Sequence, residues 1–147
     1  MAVYTPITAQ QAQTLLDDLA LGQLIRLQGI QGGIENTNYF VDSERGSFVL
    51  TLFERLTHAQ LPFYLELMRH LAEKGVAVPA PHANAAGQIL HTVAGKPAAL
   101  VDKLAGASQL KPQAVHCAAI GRALAQLHVA GADFPLQQPN LRGLQWI

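Results

Sequence analysis

Charged residues are scarce in this sequence, and the two signs balance. Only 14% of the 147 residues are charged, and 10 acidic against 10 basic side chains leave a formal net charge of zero at pH 7. A neutral chain lacks the basic surface that binds nucleic acid phosphates or the anionic face of a membrane. We therefore expect neither nucleic acid nor a membrane among its partners.

Cysteine and long apolar runs are also lacking. Cys117 is the single cysteine, which excludes an intramolecular disulfide and a zinc site built from cysteines. No apolar run approaches the ~18 residues that a membrane-spanning helix needs. Residues 1–6 lack the basic and apolar segments of a secretion signal. These absences predict a cytoplasmic protein.

Patterns for metal-dependent and hydrolytic chemistry are missing as well. Six histidines are present, but His116 and His128 lie ~18 Å apart on one predicted helix, and the others show no ligand spacing. No G-x-S-x-G motif occurs. We predict no metal ligand and no hydrolytic nucleophile in this chain.

Half of the residues are apolar, which is enough for one sizeable core, and their spacing predicts an α+β fold. A T-x-x-Q capping box from Thr8 to Gln11 begins the first helix. The order of elements is helix, three strands, helix, two strands and helix. The predicted bounds are a helix from Thr8 to Gly22, strands at 24–30, 37–42 and 47–53, a helix from Leu61 to Gly75, strands at 88–93 and 97–104, and a helix from Lys111 to about Ala130.

This order divides the chain into two parts. Residues 1–104 form a two-layer lobe with a five-stranded antiparallel sheet and a helix after the third strand. Residues 105–147 add a linker, the third helix and a loop-like tail. The third helix is apolar on more than one side, which is typical of a helix covered by several neighbours. We expect it to expose apolar surface that favours self-association.

A glycine-rich turn stands between the first two strands. Gly32 and Gly33 allow positive φ and a close approach of the backbone, so that N–H groups can turn toward a phosphate. Asn36, Thr37 and Asn38 add short side chains that form local hydrogen bonds. The glycines alone leave two readings open, a phosphate-binding loop and an ordinary β-turn.

Several longer segments together resemble a known family. They are G-G-I-E-N-T-N-Y, F-V-L-T-L-F-E, the second helix with its V-A-V-P-A-P continuation, A-A-L-V-D-K-L-A-G, and the third helix. These segments are similar to the amino-terminal part of bacterial homoserine kinases with the aminoglycoside phosphotransferase and choline kinase fold, which is related to protein kinases. The resemblance implies a protein-kinase-like N-lobe, a hinge, and the first helix of an incomplete C-lobe.

The resemblance gives several residues a role in binding ATP. The glycine loop would lie over the phosphates. Thr51 would occupy the position where most relatives carry a phosphate-binding lysine, and Glu66 would partner that position. An ordinary strand residue and a solvated helix residue remain the alternatives for these two. The implied phosphate-binding residues of the loop are Gly32, Gly33, Asn36 and Asn38.

The same resemblance implies a hinge and apolar walls. Backbone groups from Asp102 to Leu104 would pair with the adenine edge. The candidate walls of the nucleotide cleft are Leu27, Ile34, Val49, Leu100 and Leu104.

The catalytic parts of such a kinase have no counterpart here. Phosphoryl transfer needs a carboxylate for the attacking hydroxyl and ligands for Mg²⁺, which in this superfamily come from an H-x-D-x-x-x-x-N loop and a later acidic motif. Neither pattern occurs in the sequence. We therefore assign no catalytic residue and expect the Mg²⁺ ligands in an absent C-lobe. The implied substrates are L-homoserine and ATP. The alternatives are another small-molecule kinase, acting on choline or an aminoglycoside, and a non-catalytic nucleotide-binding or interaction module.

Overall fold

A computed structural model describes residues 4–140 and 143–144. Five strands form one antiparallel sheet in the order β1-β2-β3-β5-β4. This arrangement confirms the predicted sheet and the helix after its third strand. The elements are α1 (Ala9–Asp18), β1 (Leu24–Gly29), β2 (Asn36–Ser43), β3 (Gly46–Phe53), α2 (Leu61–Glu73), β4 (His91–Val93), β5 (Lys96–Asp102) and α3 (Ala114–Gly131).

The first two helices begin at the predicted signals, and α2 ends at its predicted glycine. α1 ends at Asp18 and not at the predicted Gly22, because the backbone turns at Ala20, whose φ is +54°. The Thr8 hydroxyl accepts a hydrogen bond from the Gln11 backbone N–H at 3.2 Å, and the Gln11 side chain accepts one from the Thr8 N–H at 2.9 Å. α2 has Pro62 in its first turn, where the missing N–H costs nothing. It is followed by Gly75, whose φ of +77° is the left-handed conformation that closes many helices.

The sheet is covered on one face and only in part on the other. α1 packs on one face, where its leucines meet apolar residues of β2, β3 and β5. α2 packs on part of the other face, where Leu65 forms a buried cluster with Ile89 and Ala99. The buried cluster under α1 consists of Leu15, Leu16, Leu19, Tyr39, Val41, Phe48, Leu50, Leu52, Val93, Ala98 and Leu100.

Three further predicted boundaries were wrong by more than one residue. The strand predicted at 88–93 begins only at His91, because Asn84 and Gln88 form a turn. The Asn84 N–H donates to the Gln88 carbonyl at 3.0 Å, and the Gln88 N–H donates to Asn84 Oδ1 at 3.0 Å. The strand predicted at 97–104 ends at Asp102, opposite Phe48 near the start of β3.

The third of these boundaries is the start of α3, which begins at Ala114 and not at Lys111. Gln113 is extended, with ψ of 170°, and its N–H donates to Nδ1 of His116 at 2.9 Å. This bond caps the helix one residue after Pro112. Pro112 therefore precedes the helix and does not lie in its first turn.

The end of α3 is tied to α2 by polar and aromatic contacts. Asp133 pairs with Lys74 and lies 3.0 Å from Nε2 of His70. The hydrogen bond from Lys74 holds the pKa of Asp133 below its ordinary range, and the bond from His70 adds to this. The Phe63 and Phe134 rings meet edge to face at 5.7 Å.

The rest of α3 is not packed into the core. None of its residues, all of which are described, is buried. Its large apolar side chains are 51–78% exposed: Val115, Ile120, Leu124 and Val129. The expected exposed apolar surface is therefore present, while self-association stays a prediction. In the part of the chain that the structure describes, no helix is long and apolar enough to cross a membrane.

A buried polar cluster fixes the segment before α1. The Thr37 hydroxyl accepts hydrogen bonds from the N–H groups of Tyr4 and Thr5 at 2.9 and 3.1 Å and donates to Glu54 at 2.7 Å. Glu54 also accepts from the Thr5 hydroxyl at 2.6 Å and pairs with Lys96 at 3.1 Å. Burial raises the pKa of Glu54, but these hydrogen bonds together outweigh it and hold the pKa below its ordinary value of 4.5.

This cluster predicts a pH-dependent loss of stability in Glu54→Gln. The Glu54 side chain is only 14% exposed, and hydrogen bonds to a buried charge contribute about 1.5–3 kcal/mol, so we expect a loss of about 2 kcal/mol at pH 7. Because the folded pKa is depressed, this contribution is complete above the ordinary pKa of 4.5 and disappears as the pH falls through the folded pKa. Urea denaturation at pH 7, 5 and 4 measures it.

The matched control is Glu73→Gln, which changes an exposed carboxylate on α2. We expect it to alter the free energy of unfolding by no more than about 0.5 kcal/mol. A difference between Glu54→Gln and the parent chain that does not shrink toward pH 4 would contradict the proposed role of the carboxylate charge.

Candidate functional site

The glycine loop lies between β1 and β2 and is open to solvent. Gly33 has a φ of +108°, a conformation that residues with a Cβ rarely adopt. Ile34, at the tip of the loop, is 83% exposed. The base is held on both sides, since the Ile30 N–H donates to the Asn38 carbonyl at 2.8 Å and the Tyr4 hydroxyl donates to the Ile34 carbonyl at 3.4 Å.

The strand register sets which side chains stand beside this loop. Asn38 pairs with Thr51, which pairs with Ala99, and Phe40 pairs with Val49, which pairs with Val101. Paired residues of neighbouring strands lie on the same face of a sheet. These side chains lie opposite the α1 cluster, because Tyr39 and Leu50 between them belong to that cluster. We call the surface of Asn38, Phe40, Val49, Thr51 and Val101 the open face.

Four of the predicted phosphate-binding residues come together at the loop end of the open face. The Thr51 hydroxyl donates to Asn38 Oδ1 at 2.7 Å. Asn38 Nδ2 lies 3.5 Å from the Asn36 carbonyl oxygen and 3.7 Å from the position of a Cβ on Gly33. Gly32 has open space around it. The structure thus groups Gly33, Asn36, Asn38 and Thr51, while their binding of a nucleotide stays a prediction.

Glu66 has a different partner from the one that the resemblance implies. Its carboxylate pairs with Arg69 one turn along α2. The side chain is about one-third exposed, so an ion pair here adds at most about 1 kcal/mol to stability. Any contact of Glu66 with a phosphate-binding group would have to compete with this pair.

The predicted hinge has already used part of its hydrogen-bonding capacity. Asp102 Oδ1 lies 2.7 Å from Nε2 of His82, so the carboxylate turns toward the face that contains Phe48. The Asp102 N–H donates to the Ala80 carbonyl at 3.1 Å, and the Lys103 N–H donates to the Ser47 carbonyl at 3.2 Å. A ligand edge at this strand would therefore use carbonyl groups or the backbone of Leu104, which is 49% exposed.

Two of the candidate apolar walls were wrong. Leu27 pairs with Val41 and packs against the α1 cluster, and Leu100 is fully buried within it. Because side chains alternate along a strand, an error of one residue exchanges the two faces. Gln28, opposite Phe40, and Val101 take the positions expected of Leu27 and Leu100. Val49 lies on the open face as predicted.

Phe40 and Val101 of the open face, and Lys103 beside them, were not predicted from the sequence. The Lys103 ammonium group lies 4.5 Å from the centre of the Phe40 ring, within the range of a cation–π contact. The alternation of Asn36, Asn38 and Phe40 was the available signal, since it places an aromatic ring on the face of the two amides. The sequence contains no local signal for the approach of Lys103, which depends on the pairing of β3 with β5.

The far edge of the open face is charged and internally paired. Asp42 pairs with Arg26 at 2.7 Å and accepts from the Ser47 hydroxyl at 2.6 Å. The hydrogen bond from Ser47 and then that from Arg26 hold the pKa of Asp42 below its ordinary range. The carboxylate is therefore ionised at neutral pH, and the end of the face farthest from the glycine loop is least suited to an anion.

Two grooves lie elsewhere on the described part of the chain. One of ≈ 520 Å³ lies between α1 and β4 and is lined by Asp18, Asn84 and His91, among others. Another of ≈ 630 Å³ separates the end of α2 from α3. Neither is lined by the glycine loop or the open face. Among the residues that the structure describes, no three His, Cys, Asp or Glu side chains come together as metal ligands would.

The fold is that of small-molecule kinases. A crystal structure of spectinomycin phosphotransferase in complex with ADP and spectinomycin superposes with a TM-score of 0.71 over 97% of this chain and 45% of its own, at 20% identity. Amicoumacin kinase in complex with AMP-PNP, Ca²⁺ and amicoumacin superposes with a TM-score of 0.63 over 86% of this chain and 42% of its own, also at 20% identity.

Residues 26–147 match the phosphotransferase enzyme family, and the chain belongs to it. Its curated relatives include homoserine kinases from Polaromonas naphthalenivorans, 59% identical over 99% of this chain, and from Janthinobacterium sp., 55% identical over 99% of it. The chain spans 46% and 45% of the length of these two relatives.

The loop geometry predicts unequal effects of alanine at the two glycines. Gly33→Ala forces a Cβ onto a backbone with φ of +108°, which costs about 1–3 kcal/mol. Gly32→Ala adds a methyl group in open space and serves as the matched control, with an expected change below about 0.5 kcal/mol. Urea denaturation of both variants measures the difference. Equal losses in the two variants would show that the positive φ of Gly33 is not a constraint on the loop.

Proposed function

We propose that this chain is the nucleotide-binding lobe of a homoserine kinase, which transfers the γ-phosphoryl group of ATP to the hydroxyl of L-homoserine and forms O-phosphohomoserine for threonine biosynthesis. The observation that carries the proposal is the 59% identity with a homoserine kinase over 99% of the chain, loop and strands included. The kinases of spectinomycin and amicoumacin share the fold at only 20% identity. The identity therefore favours homoserine over an antibiotic or choline as the acceptor.

The loop end of the open face suits the phosphates of ATP. The positive φ of Gly33 and the open space at Gly32 leave room for an anion close to the backbone. Asn36, Asn38 and Thr51 add neutral polar groups at the same place. We expect this end of the face to hold the phosphates by dipoles rather than by charge.

The opposite end of the face suits the base. Phe40 and Val49 offer an apolar surface, and the Lys103 ammonium group lies over the Phe40 ring. The carbonyls near Asp102 and the backbone of Leu104 are the groups left for the adenine edge. A nucleotide would then run from the hinge to the glycine loop along the open face.

The described residues hold no set of Mg²⁺ ligands, so the proposal assigns the metal to residues beyond this half of the relatives' length. When bound, Mg²⁺ would neutralise phosphate charge. The described residues do not fit the coordination of Mg²⁺, and their proposed role is confined to binding the nucleotide. The solved neighbours are complexes with nucleotides, one of them also with Ca²⁺, which supports the use of a nucleotide with a divalent cation.

A lobe exchange tests the proposal. This chain replaces the matching amino-terminal half of the Polaromonas homoserine kinase, and ADP release is measured with ATP, Mg²⁺ and either homoserine, choline or an aminoglycoside. We expect homoserine-dependent turnover with kcat/KM within about tenfold of the parent enzyme, a loss of no more than ~1.4 kcal/mol of transition-state stabilisation. The matching half of spectinomycin phosphotransferase, joined at the same point, is the control and should give no turnover.

A folded exchange protein without turnover would refute the proposed function. Turnover that does not depend on this chain's loop would also refute it. The exchange protein with Gly33→Ala should therefore show a raised KM for ATP, and the one with Glu73→Gln, which changes an exposed position on α2, should not.

A further inference from the structure

The strands offer no unpaired lysine or arginine side chain at the loop end of the open face. The five strands carry two basic side chains, Arg26 and Lys96, and both are paired, with Asp42 at 2.7 Å and with Glu54 at 3.1 Å. Lys103 lies over Phe40, toward the other end of the face. A phosphate at the glycine loop would therefore meet neutral donors on the strands.

The Thr51 hydroxyl is not free to be that donor. Its hydrogen is directed to Asn38 Oδ1 at 2.7 Å, a normal length for a good O–H···O bond. A hydroxyl has one hydrogen to donate. Thr51 would have to give up this bond before it could donate to a phosphate oxygen.

The Asn38 amide nitrogen has capacity left. It carries two hydrogens, and its contact with the Asn36 carbonyl is 3.5 Å long, which is at the limit of a hydrogen bond. The nitrogen also lies on the loop side, where a Cβ on Gly33 would stand 3.7 Å away. Glycine at that position keeps this approach clear.

The bond from Thr51 decides which end of the amide faces the loop. The Asn38 backbone carbonyl accepts a hydrogen bond from the N–H of Ile30, just after β1. In an antiparallel sheet the N–H and C=O of one residue point to the same neighbouring strand, so Asn38 forms no backbone hydrogen bond with Thr51 of β3. The side chains of such a pair lie closest. Threonine is restricted at χ1, and its hydroxyl therefore has a fixed place. A rotated amide would turn its carbonyl oxygen toward the loop, where it would repel a phosphate.

We propose that the side-chain amide of Asn38 donates a hydrogen bond to an ATP phosphate, and that Thr51 is a positioning residue that holds the amide in the donating orientation. This inference rests on the proposed function, because that function places the phosphates at the loop. It adds a division of roles: Asn38 touches the ligand, and Thr51 acts through Asn38.

The test uses this chain, labelled with ¹⁵N, and follows its amide signals by NMR during titration with MgATP and with adenosine. The Asn38 side-chain NH₂ pair should shift with MgATP and not with adenosine. Backbone signals of residues 32–36 report separately whether the nucleotide binds at the loop. Adenosine controls for effects of the base alone.

Three variants separate the roles of the two residues. Thr51→Val keeps the shape of the side chain and removes the hydroxyl, and it should weaken MgATP binding by about tenfold, the effect of a hydrogen bond to a charged group, while adenosine binding is unchanged. Thr51→Ser should restore binding to within about twofold. Asn38→Asp replaces the donor with a negative charge and should weaken MgATP binding more than Thr51→Val does. Thr92→Val, on an exposed position of β4, is the control for the substitution itself.

The outcomes distinguish this inference from the proposed function. If the loop signals shift with MgATP but the Asn38 NH₂ pair does not, or if Thr51→Val binds as tightly as the parent, the inference is overturned and the nucleotide site stands. If no loop signal shifts, the nucleotide site and the inference fall together. The dispersion of the backbone signals confirms that each variant is folded.

Discussion

The pairing of β2 with β3 is the constraint on which the rest of this structure depends. Eight consecutive residue pairs join the two strands without a bulge, from Asn36 opposite Phe53 to Ser43 opposite Gly46. A sheet has a side-chain period of two, so a slip of one residue would move every side chain to the other face. Tyr39 and Leu50 would then leave the core, and Asn38 and Thr51 would enter it without partners. Burial of the apolar set therefore also fixes the polar set at the loop.

The base of the glycine loop depends on a second, polar constraint. Thr37 is fully buried, and its hydroxyl joins the backbone before α1 to the Glu54 carboxylate. Lys96 balances the charge of Glu54 from β5. A buried carboxylate with this many donors stabilises one geometry, because the loss of any partner leaves a desolvated group. The loop can thus be open at its tip and still leave the sheet in a defined direction.

Local signals predicted much of the fold, and non-local ones account for what was missed. The capping box at Thr8, the glycine after α2 and the alternation in β2 depend on neighbours a few residues away, and the sequence shows them. The faces of Leu27 and Leu100 depend on the register between strands, and a loosely alternating strand can be read in either phase. The cation–π contact of Lys103 and the pairing of Glu66 with Arg69 are choices among several partners within reach. Pattern alone could not make those choices.

The electrostatics of the open face explain why half of such a site should hold a nucleotide weakly. ATP carries several negative charges, whereas the strand cations are consumed by Asp42 and Glu54 and the chain is neutral overall. Neutral donors give roughly half the strength of charged ones, and the amides of Asp102 and Lys103 are already engaged. A surface of this kind can orient phosphates and a base but cannot compensate their charge. In the proposed function, a divalent metal and residues beyond this half of the relatives' length supply the compensating charge, and the nucleotide affinity of this lobe depends on them.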